Sequence, residues 1–88
     1  MTSPEEARRK RLKIRAWRRG IKEMDLILGG YADERLAAMD DDDLALFEAV
    51  LGENDHDLYS WVTGQVEAPA RFAPLMAELG RRAATYRG

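Results

Sequence analysis

The sequence predicts an all-α fold, a compact bundle of four to five short helices in a single domain over residues 1–88. Apolar residues recur at three- and four-residue spacing, the periodicity of one helix face, and we identify no strand. With 88 residues and no cysteine, the chain is just above the size at which a small core is stable without disulfides. We expect residues 1–4 and 87–88 to be flexible.

The first helix is predicted to run from Pro4 to about Arg18. Ser3 is a candidate N-cap, and proline suits the first helical position because it lacks a backbone N–H. Glu5 and Glu6 favour the positive end of the helix dipole. The same segment is strongly basic.

The second helix is predicted from near Ile21 to about Leu28, and Gly29-Gly30 is expected to end it. Residues 31–39 are ambiguous, although Asp33 is able to cap a short helical turn there. The second helix is apolar on more than one face, which is typical of a central helix.

Gly20 interrupts an apolar stripe that has the spacing of one helix face. The stripe consists of Trp17, Ile21, Met24, Leu28 and Tyr31. A glycine inside a helix costs about 1 kcal/mol relative to alanine, so it needs a reason. Either the helix breaks at Gly20, or a surface must stay bare there, and both explanations make this stretch the first place to look for function.

Asp40 is predicted to cap the third helix, which ends at Gly52, with Asp41–Asp43 in its first turn. A metal site in this Asp cluster is disfavoured, because the cluster lacks the alternating ligands and central glycine of a calcium loop. The apolar face of the helix comprises Leu44, Phe47, Val50 and Leu51.

Two further helices complete the prediction. Asn54 or Asp55 can begin the fourth, which ends before Gly64, and Pro74 lies in the first turn of the last. The apolar positions are Leu58, Trp61 and Val62 in the fourth helix and Phe72, Leu75, Met76, Leu79, Ala83 and Tyr86 in the last.

The charges are segregated along the chain. Residues 1–22 contain nine Lys or Arg and two Glu, whereas residues 23–88 contain five basic and fourteen acidic residues. Such asymmetry gives two faces of opposite potential, which can orient a partner during encounter. Alternatively, the two halves neutralise each other within the fold.

An enzyme is improbable. His56 is the only histidine, no hydroxyl residue lies in a nucleophile motif, and there is no phosphate-binding glycine loop. We therefore predict no catalytic residue, no metal ligand and no bound cofactor. His56 is better explained as a surface residue.

Two binding classes are also disfavoured. Nucleic-acid binding through the basic first helix conflicts with a sequence pI of about 5.4 and a second helix too apolar to contact base edges. Apolar runs are too short to span a bilayer, and the N-terminus lacks an apolar leader segment. These features and the absence of cysteine fit the cytosol or another reducing compartment, and we expect a cytoplasmic (bacterial) location.

The chain resembles the succinate dehydrogenase assembly factor 2 family, also described as the flavinylation factor family. Arg15–Asp25 is similar to the family core RxWxRGxxExD, 44–51 resembles its third helix, and 55–62 is similar to its DPDLxxW segment. The departures are His56 in place of the usual proline and Met24 in place of the commoner leucine.

This resemblance implies an assembly chaperone that binds the flavoprotein subunit of succinate dehydrogenase, and in bacteria the related fumarate reductase subunit. Such proteins promote covalent attachment of FAD to a histidine of that subunit, while holding no cofactor tightly themselves. We expect a monomer that binds no nucleic acid. The alternative is a small helical adaptor, or a nucleic-acid-binding protein that uses the first helix.

The expected partner-binding residues surround the motif RGxxE: Arg15, Arg18, Arg19, Gly20, Lys22, Glu23 and Asp25. Gly20 has no Cβ, so a partner backbone can approach closely. Arg19 offers five donors to carboxylates or carbonyls, and Glu23 can pair with it if the intervening turn is helical. Asp25 either contacts the partner or braces the turn. Trp17 is expected in the core.

Overall fold

Five α-helices form the part of the chain that the computed structural model describes, residues 3–87, with side chains described up to residue 85. They are α1 (Pro4–Trp17), α2 (Lys22–Arg35), α3 (Asp41–Leu51), α4 (Asp55–Val62) and α5 (Ala73–Arg87), and a 3-10 turn spans Leu36–Ala38. The predicted all-α bundle is confirmed. Of the ends expected to be flexible, residues 1, 2 and 88 lie outside the described part, whereas Ser3 caps α1.

Three helices begin with the polar caps that the sequence predicts. Ser3 Oγ, Asp40 Oδ1 and Asn54 Oδ1 each accept a hydrogen bond from the backbone N–H three residues later, at 3.2, 2.9 and 2.8 Å. Each cap satisfies one donor that the first helical turn leaves without an intrahelical acceptor. Asp41–Asp43 then occupy the first turn of α3, where the helix dipole favours negative charge.

The prediction that Gly29-Gly30 ends the second helix is wrong. α2 continues through both glycines to Arg35, and the glycine at position 29 is explained by the Trp17 ring, which packs against it. A Cβ built on Gly29 would lie 2.3 Å from Trp17 Cδ2, so no side chain fits there. Asp33 does not cap a new helix; it lies within α2, and its Oδ1 accepts a hydrogen bond from Trp17 Nε1 at 3.2 Å.

The apolar stripe through Gly20 is not one continuous helix face. α1 ends at Trp17 and α2 begins at Lys22, so the residues of the stripe belong to two different helices and the turn between them. Ile21, a member of the stripe, is 48% exposed, whereas Met24 and Leu28 are fully buried. Gly20 therefore marks a break between two helices.

The core lies between the predicted apolar faces of all five helices. Tyr31 of α2 packs on Phe47 of α3, with ring centroids 5.5 Å apart. The fully buried large side chains are Leu12, Met24, Ile27, Leu28, Leu44, Phe47, Val50, Leu58 and Leu79. The stripe of α5 is buried as predicted from Phe72 to Ala83, and Tyr86 lies outside the described side chains. In the described range, no helix has both the length and the apolar character needed to cross a membrane.

An ion pair links α2 to α5 at the surface. The Arg82 guanidinium donates to both carboxylate oxygens of Glu34. This hydrogen bonding and the positive charge of Arg82 lower the pKa of the Glu34 carboxyl. The pair contributes little to stability, because the Glu34 carboxylate is largely exposed and solvent screens it.

The contact between Gly29 and Trp17 gives a testable prediction. Gly29→Ala should lower the free energy of unfolding by about 1–2 kcal/mol, because the strain of overpacking exceeds the gain in helix propensity. In a Trp17→Ala background the same substitution should stabilise the protein by up to about 1 kcal/mol, because the ring is gone. Urea denaturation of the four proteins measures both signs. Equal effects in the two backgrounds would contradict the assignment.

Candidate functional site

The turn between α1 and α2 contains the centre of the RGxxE motif. We call residues 18–21 the Gly20 turn. Gly20 has a φ of +92°, a conformation that L side chains rarely adopt, and Ile21 then extends into α2. Glycine is needed because the chain must reverse between two helices that pack on each other.

Gly20 is exposed at the surface of the protein. A Cβ built on it meets no other atom within 4 Å, so nothing inside the protein requires that space to be empty. Of the two reasons that the sequence allows for this glycine, the helix break is the one that the structure displays. The break also leaves main-chain atoms accessible on the outside of the turn.

The Arg19 side chain points inward, away from this surface, and is only 11% exposed. Its Nε donates to Asp55 Oδ1 at 2.8 Å, and its Nη atoms donate to the backbone carbonyls of Leu51 and Glu53. All three acceptors belong to the end of α3, the α3–α4 connection or the first residue of α4. The guanidinium therefore ties the Gly20 turn to a segment more than thirty residues away in sequence.

Asp25 braces the same turn from the other side. Its Oδ1 accepts a hydrogen bond from the Arg19 backbone N–H at 2.7 Å. The Ile21 carbonyl then accepts from the Asp25 N–H at 2.9 Å, so that the first turn of α2 closes on the Gly20 turn. Main chain and side chain of Arg19 are thus both held.

The helical turn on which the expected Arg19–Glu23 pair depended is absent. Residues 18–21 are not helical, and the guanidinium nitrogens of Arg19 donate to the α3–α4 region instead. Glu23 is half-buried in the first turn of α2.

The remaining cations of the predicted site lie on the outside. Within residues 3–87, neither Arg18 nor Lys22 forms an ion pair, and both are exposed. Arg15 lies 4.0 Å from Glu48, a marginal contact. A shallow depression of about 350 Å³ lies beside the turn, lined by Arg15, Arg18, Arg19, Asn54 and Asp55. Asp55 is bound to Arg19 within this lining, and the guanidinium groups of Arg15 and Arg18 provide positive charge that suits a carboxylate ligand.

The charge segregation of the sequence is only partly neutralised. Several cations of residues 1–22 pair with acidic residues: Arg8 with Glu48 (3.2 Å), Arg9 with Glu5 (3.8 Å), Lys13 with Asp33 (3.4 Å) and Arg19 with Asp55. In the described part of the chain, Lys10, Arg11, Arg18 and Lys22 have no such partner. The unpaired cations point outward from α1 and from the start of α2.

Sequence reasoning missed Asp55 and misplaced Ile21. Asp55 was considered only as a possible helix start, yet Asn54 provides the cap and Asp55 binds Arg19. The sequence did contain a signal for Asp55: it is the first aspartate of the DPDL-like segment 55–62, and a helix that Asn54 caps does not need a second capping residue. Ile21 was assigned to a helix face, but it lies exposed beside Gly20.

The groups considered for catalysis or metal binding lie elsewhere. His56 is exposed in the first turn of α4. Among the described residues, no group of three or more His, Asp or Glu side chains is placed to hold a metal ion. The Asp40 carboxylate serves as a helix cap.

Comparison with known proteins identifies the family. A sequence model of the family described as "Flavinator of succinate dehydrogenase" matches residues 10–83. The chain belongs to this family. The match covers the Gly20 turn, Asp25 and Asp55, and it confirms the resemblance noted from the motif and its flanking segments.

Curated relatives in the flavinator family agree with the assignment. The chain is similar to "Succinate dehydrogenase assembly factor 2, mitochondrial" of Candida glabrata, with 41% identity over 58 residues, 66% of this chain and 38% of the relative. The Saccharomyces cerevisiae protein of that name is 38% identical over 60 residues, 68% of this chain and 37% of its own length. The Drosophila grimshawi protein is 32% identical over 74 residues, 82% of this chain and 50% of the relative.

These comparisons confirm one expectation and overturn another. The family consists of assembly factors, as predicted, rather than enzymes. The expectation of a bacterial cytoplasmic protein is wrong, because the named relatives are mitochondrial proteins of eukaryotes. The absence of cysteine and of an apolar leader segment, on which that expectation depended, does not distinguish one reducing compartment from another. The chain spans about two fifths of the fungal relatives' length and half of the fly relative's.

The buried Arg19 contacts predict a stability effect. Arg19→Ala should lower the free energy of unfolding by about 1–3 kcal/mol, because the Asp55 carboxylate and two carbonyls lose their donor. Arg18→Ala is the matched control, since the neighbouring side chain is exposed and unpaired, and it should change stability by less than about 0.5 kcal/mol. Urea denaturation of both variants measures the difference. Equal, small effects would show that the Arg19 contacts are not formed in solution.

Proposed function

We propose that this chain binds the flavoprotein subunit of succinate dehydrogenase through the Gly20 turn and promotes covalent attachment of FAD to that subunit. The family description names flavinylation of succinate dehydrogenase, and the named relatives are its assembly factors. The observation that carries the choice of surface is the exposed backbone of Gly20. Hydrogen bonds of Arg19 to Asp25 and Asp55 hold the turn on its inner side, and the exposed cations Arg18 and Lys22 flank Gly20.

The proposed contact surface combines three kinds of atoms. Gly20 presents main chain that no side chain covers, so a partner backbone can come close. Ile21 adds an apolar side chain that is 48% exposed. Arg18 and Lys22 flank it with positive charge, which increases the rate of association with an acidic surface. Small apolar contacts inside a charged rim are the usual arrangement at protein interfaces.

The depression beside the turn extends this surface. Arg15, Arg18 and Asn54 line this depression, and the two arginines give it positive charge. An Asp or Glu side chain of the flavoprotein would be a suitable occupant, since arginine binds carboxylates with paired hydrogen bonds. Glu23, the last residue of the motif, lies in the first turn of α2, and we include it among the proposed partner-binding residues.

In this proposal Arg19 and Asp25 act from behind the surface. The Arg19 guanidinium and the Asp25 Oδ1 atom form hydrogen bonds within the chain, and the Arg19 side chain is mostly buried. Their role is to fix the turn in the form that the partner binds. Holding a loop in its bound conformation improves affinity, because less conformational entropy is lost on association.

The bond to FAD is formed on the partner. The chain contributes no catalytic residue and no tightly bound cofactor; the flavin and the side chains of the flavoprotein supply the chemistry. By binding, a small protein can stabilise the arrangement of the partner in which a histidine and the flavin react. We also propose the related fumarate reductase subunit as a second partner, and a monomeric state for the free protein.

The alternative is an adaptor that binds nucleic acid through α1. It requires a continuous basic face, yet Arg8, Arg9 and Lys13 are engaged within the chain. Fewer free cations mean fewer phosphate contacts and weaker, less salt-dependent binding. Salt-sensitive retention on DNA without binding to the flavoprotein would favour this alternative.

The proposed function is tested by co-expression. The flavoprotein subunit, tagged and purified, should carry this chain with it, and in a denaturing gel it should show flavin fluorescence that depends on the chain. Denaturation removes non-covalent FAD, so the fluorescence reports the covalent bond alone. No co-purification, or equal fluorescence with and without the chain, would contradict the proposal.

Gly20 can be tested against a second glycine in the same conformation. Gly64 also has a positive φ, +79°, is exposed, and has no atom within 4 Å of a built Cβ. Leucine at either position should therefore cost a similar amount of stability, about 1–2 kcal/mol. Only Gly20→Leu should weaken flavoprotein binding, by about tenfold or more, a loss of at least about 1.4 kcal/mol.

Isothermal titration calorimetry and urea denaturation measure the two quantities. If Gly64→Leu weakens binding as much as Gly20→Leu, the loss arises from the fold and not from a contact at the turn. If neither weakens it, the partner does not bind at Gly20.

A further inference from the structure

We infer that Asp55, which lies outside the RGxxE motif, is a positioning residue for the partner-binding surface. This inference depends on the proposed function. By binding Arg19, the carboxylate fixes the Gly20 turn in the conformation that the flavoprotein contacts. Asp55 is 36 residues from Arg19 in sequence, at the start of α4, and their side chains meet at 2.8 Å.

Asp55 does not cap α4, although it lies in the first turn of that helix. The N-terminus of α4 is capped by Asn54, whose Oδ1 accepts from the backbone N–H of Asp57. The Asp55 side chain is only 19% exposed, so it offers little surface of its own to a partner. A carboxylate placed this way acts through the group that it binds, the Arg19 guanidinium.

The Gly20 turn needs such support. It contains a glycine, which has more backbone freedom than any other residue, and Ile21 provides no side-chain cap for α2. The turn is held mainly through Arg19, by the backbone bond to Asp25 and by the side-chain contacts across to α3 and α4. Of the side-chain contacts, the one to Asp55 joins opposite charges and is the strongest type.

A competing explanation predicts the opposite change in binding affinity when Asp55 is neutralised. If Arg19 leaves Asp55 to bind a carboxylate of the flavoprotein, Asp55 competes with the partner, and neutralising it should tighten binding. If Asp55 positions the turn, neutralising it should weaken binding, because the free protein then samples more conformations of the turn. One substitution separates the two explanations.

The experiment compares Asp55→Asn with Asp57→Asn in the full chain. Both remove one negative charge from the first turn of α4, but Asp57 contacts Asn54 and not Arg19. We expect Asp55→Asn to weaken binding to the purified flavoprotein subunit by about tenfold or more and Asp57→Asn to change it by less than about twofold. Unchanged or tighter binding of Asp55→Asn would overturn the inference.

Amide hydrogen exchange gives a readout that does not need the partner. In Asp55→Asn, the amide of Arg19, which donates to Asp25 Oδ1, should exchange at least about tenfold faster, while the amide of the fully buried Ile27 keeps its wild-type rate. Asp57→Asn should leave both unchanged. Equal acceleration at Ile27 would show a general loss of stability, and an unchanged turn would show that Asp55 does not hold it; either result overturns the inference.

A double variant tests whether Asp55 acts through Arg19. If the two residues work as a unit, Arg19→Gln with Asp55→Asn should bind no worse than Arg19→Gln alone. Additive losses would mean that Asp55 acts by another route, and the inference would fail. If the wild-type chain does not bind the flavoprotein at all, the proposed function falls together with the binding role of Asp55. The exchange data then still establish whether Asp55 holds the turn.

Discussion

The guanidinium of Arg19 joins the parts of the chain that meet at the Gly20 turn. It leaves the main chain just after α1, and its nitrogens reach the end of α3, the α3–α4 connection and the first residue of α4. Its own backbone N–H is held by Asp25 in α2. Through its main chain and its side chain together, Arg19 thus links the end of α1 to α2, α3 and α4 at this end of the bundle. A lysine has one compact donor group and cannot reproduce this planar set of bonds.

The cations of this chain fall into two groups: some form ion pairs with acidic side chains, and others point outward. Cations on the flanks of α1, such as Arg8 and Lys13, pair with acids of α3 and α2, and these exposed pairs each contribute about 0–1 kcal/mol. Cations that point outward, such as Arg18 and Lys22, have no acidic partner within residues 3–87. Ion pairs within the chain therefore neutralise part of the segregated charge, and exposed cations without an acidic partner among the described residues, Arg18 and Lys22, flank Gly20. A net charge of −2 conceals this arrangement.

Local interactions were predictable from sequence, and long-range ones were not. The caps at Ser3, Asp40 and Asn54 join atoms three residues apart, so residue type and position suffice to identify them. Gly29 misled the prediction because its environment is set by Trp17 on another helix, and glycine occurs both where helices end and where they pack closely. Asp55 was missed for the same reason, since its partner is 36 residues away. The motif located the candidate site but did not distinguish the residues that face outward from those that hold them.

Main chain exposed at Gly20 has a consequence for how such a surface can evolve. A contact made through backbone atoms has no side chain whose size or charge mutation can adjust, and every substitution there also forces a strained backbone. Adaptation to a different flavoprotein would therefore have to proceed at neighbours such as Arg18, Ile21 and Lys22, whose side chains are free to vary. The centre of the site would remain constant while its rim diverged, so that proteins with different partners could share the same turn.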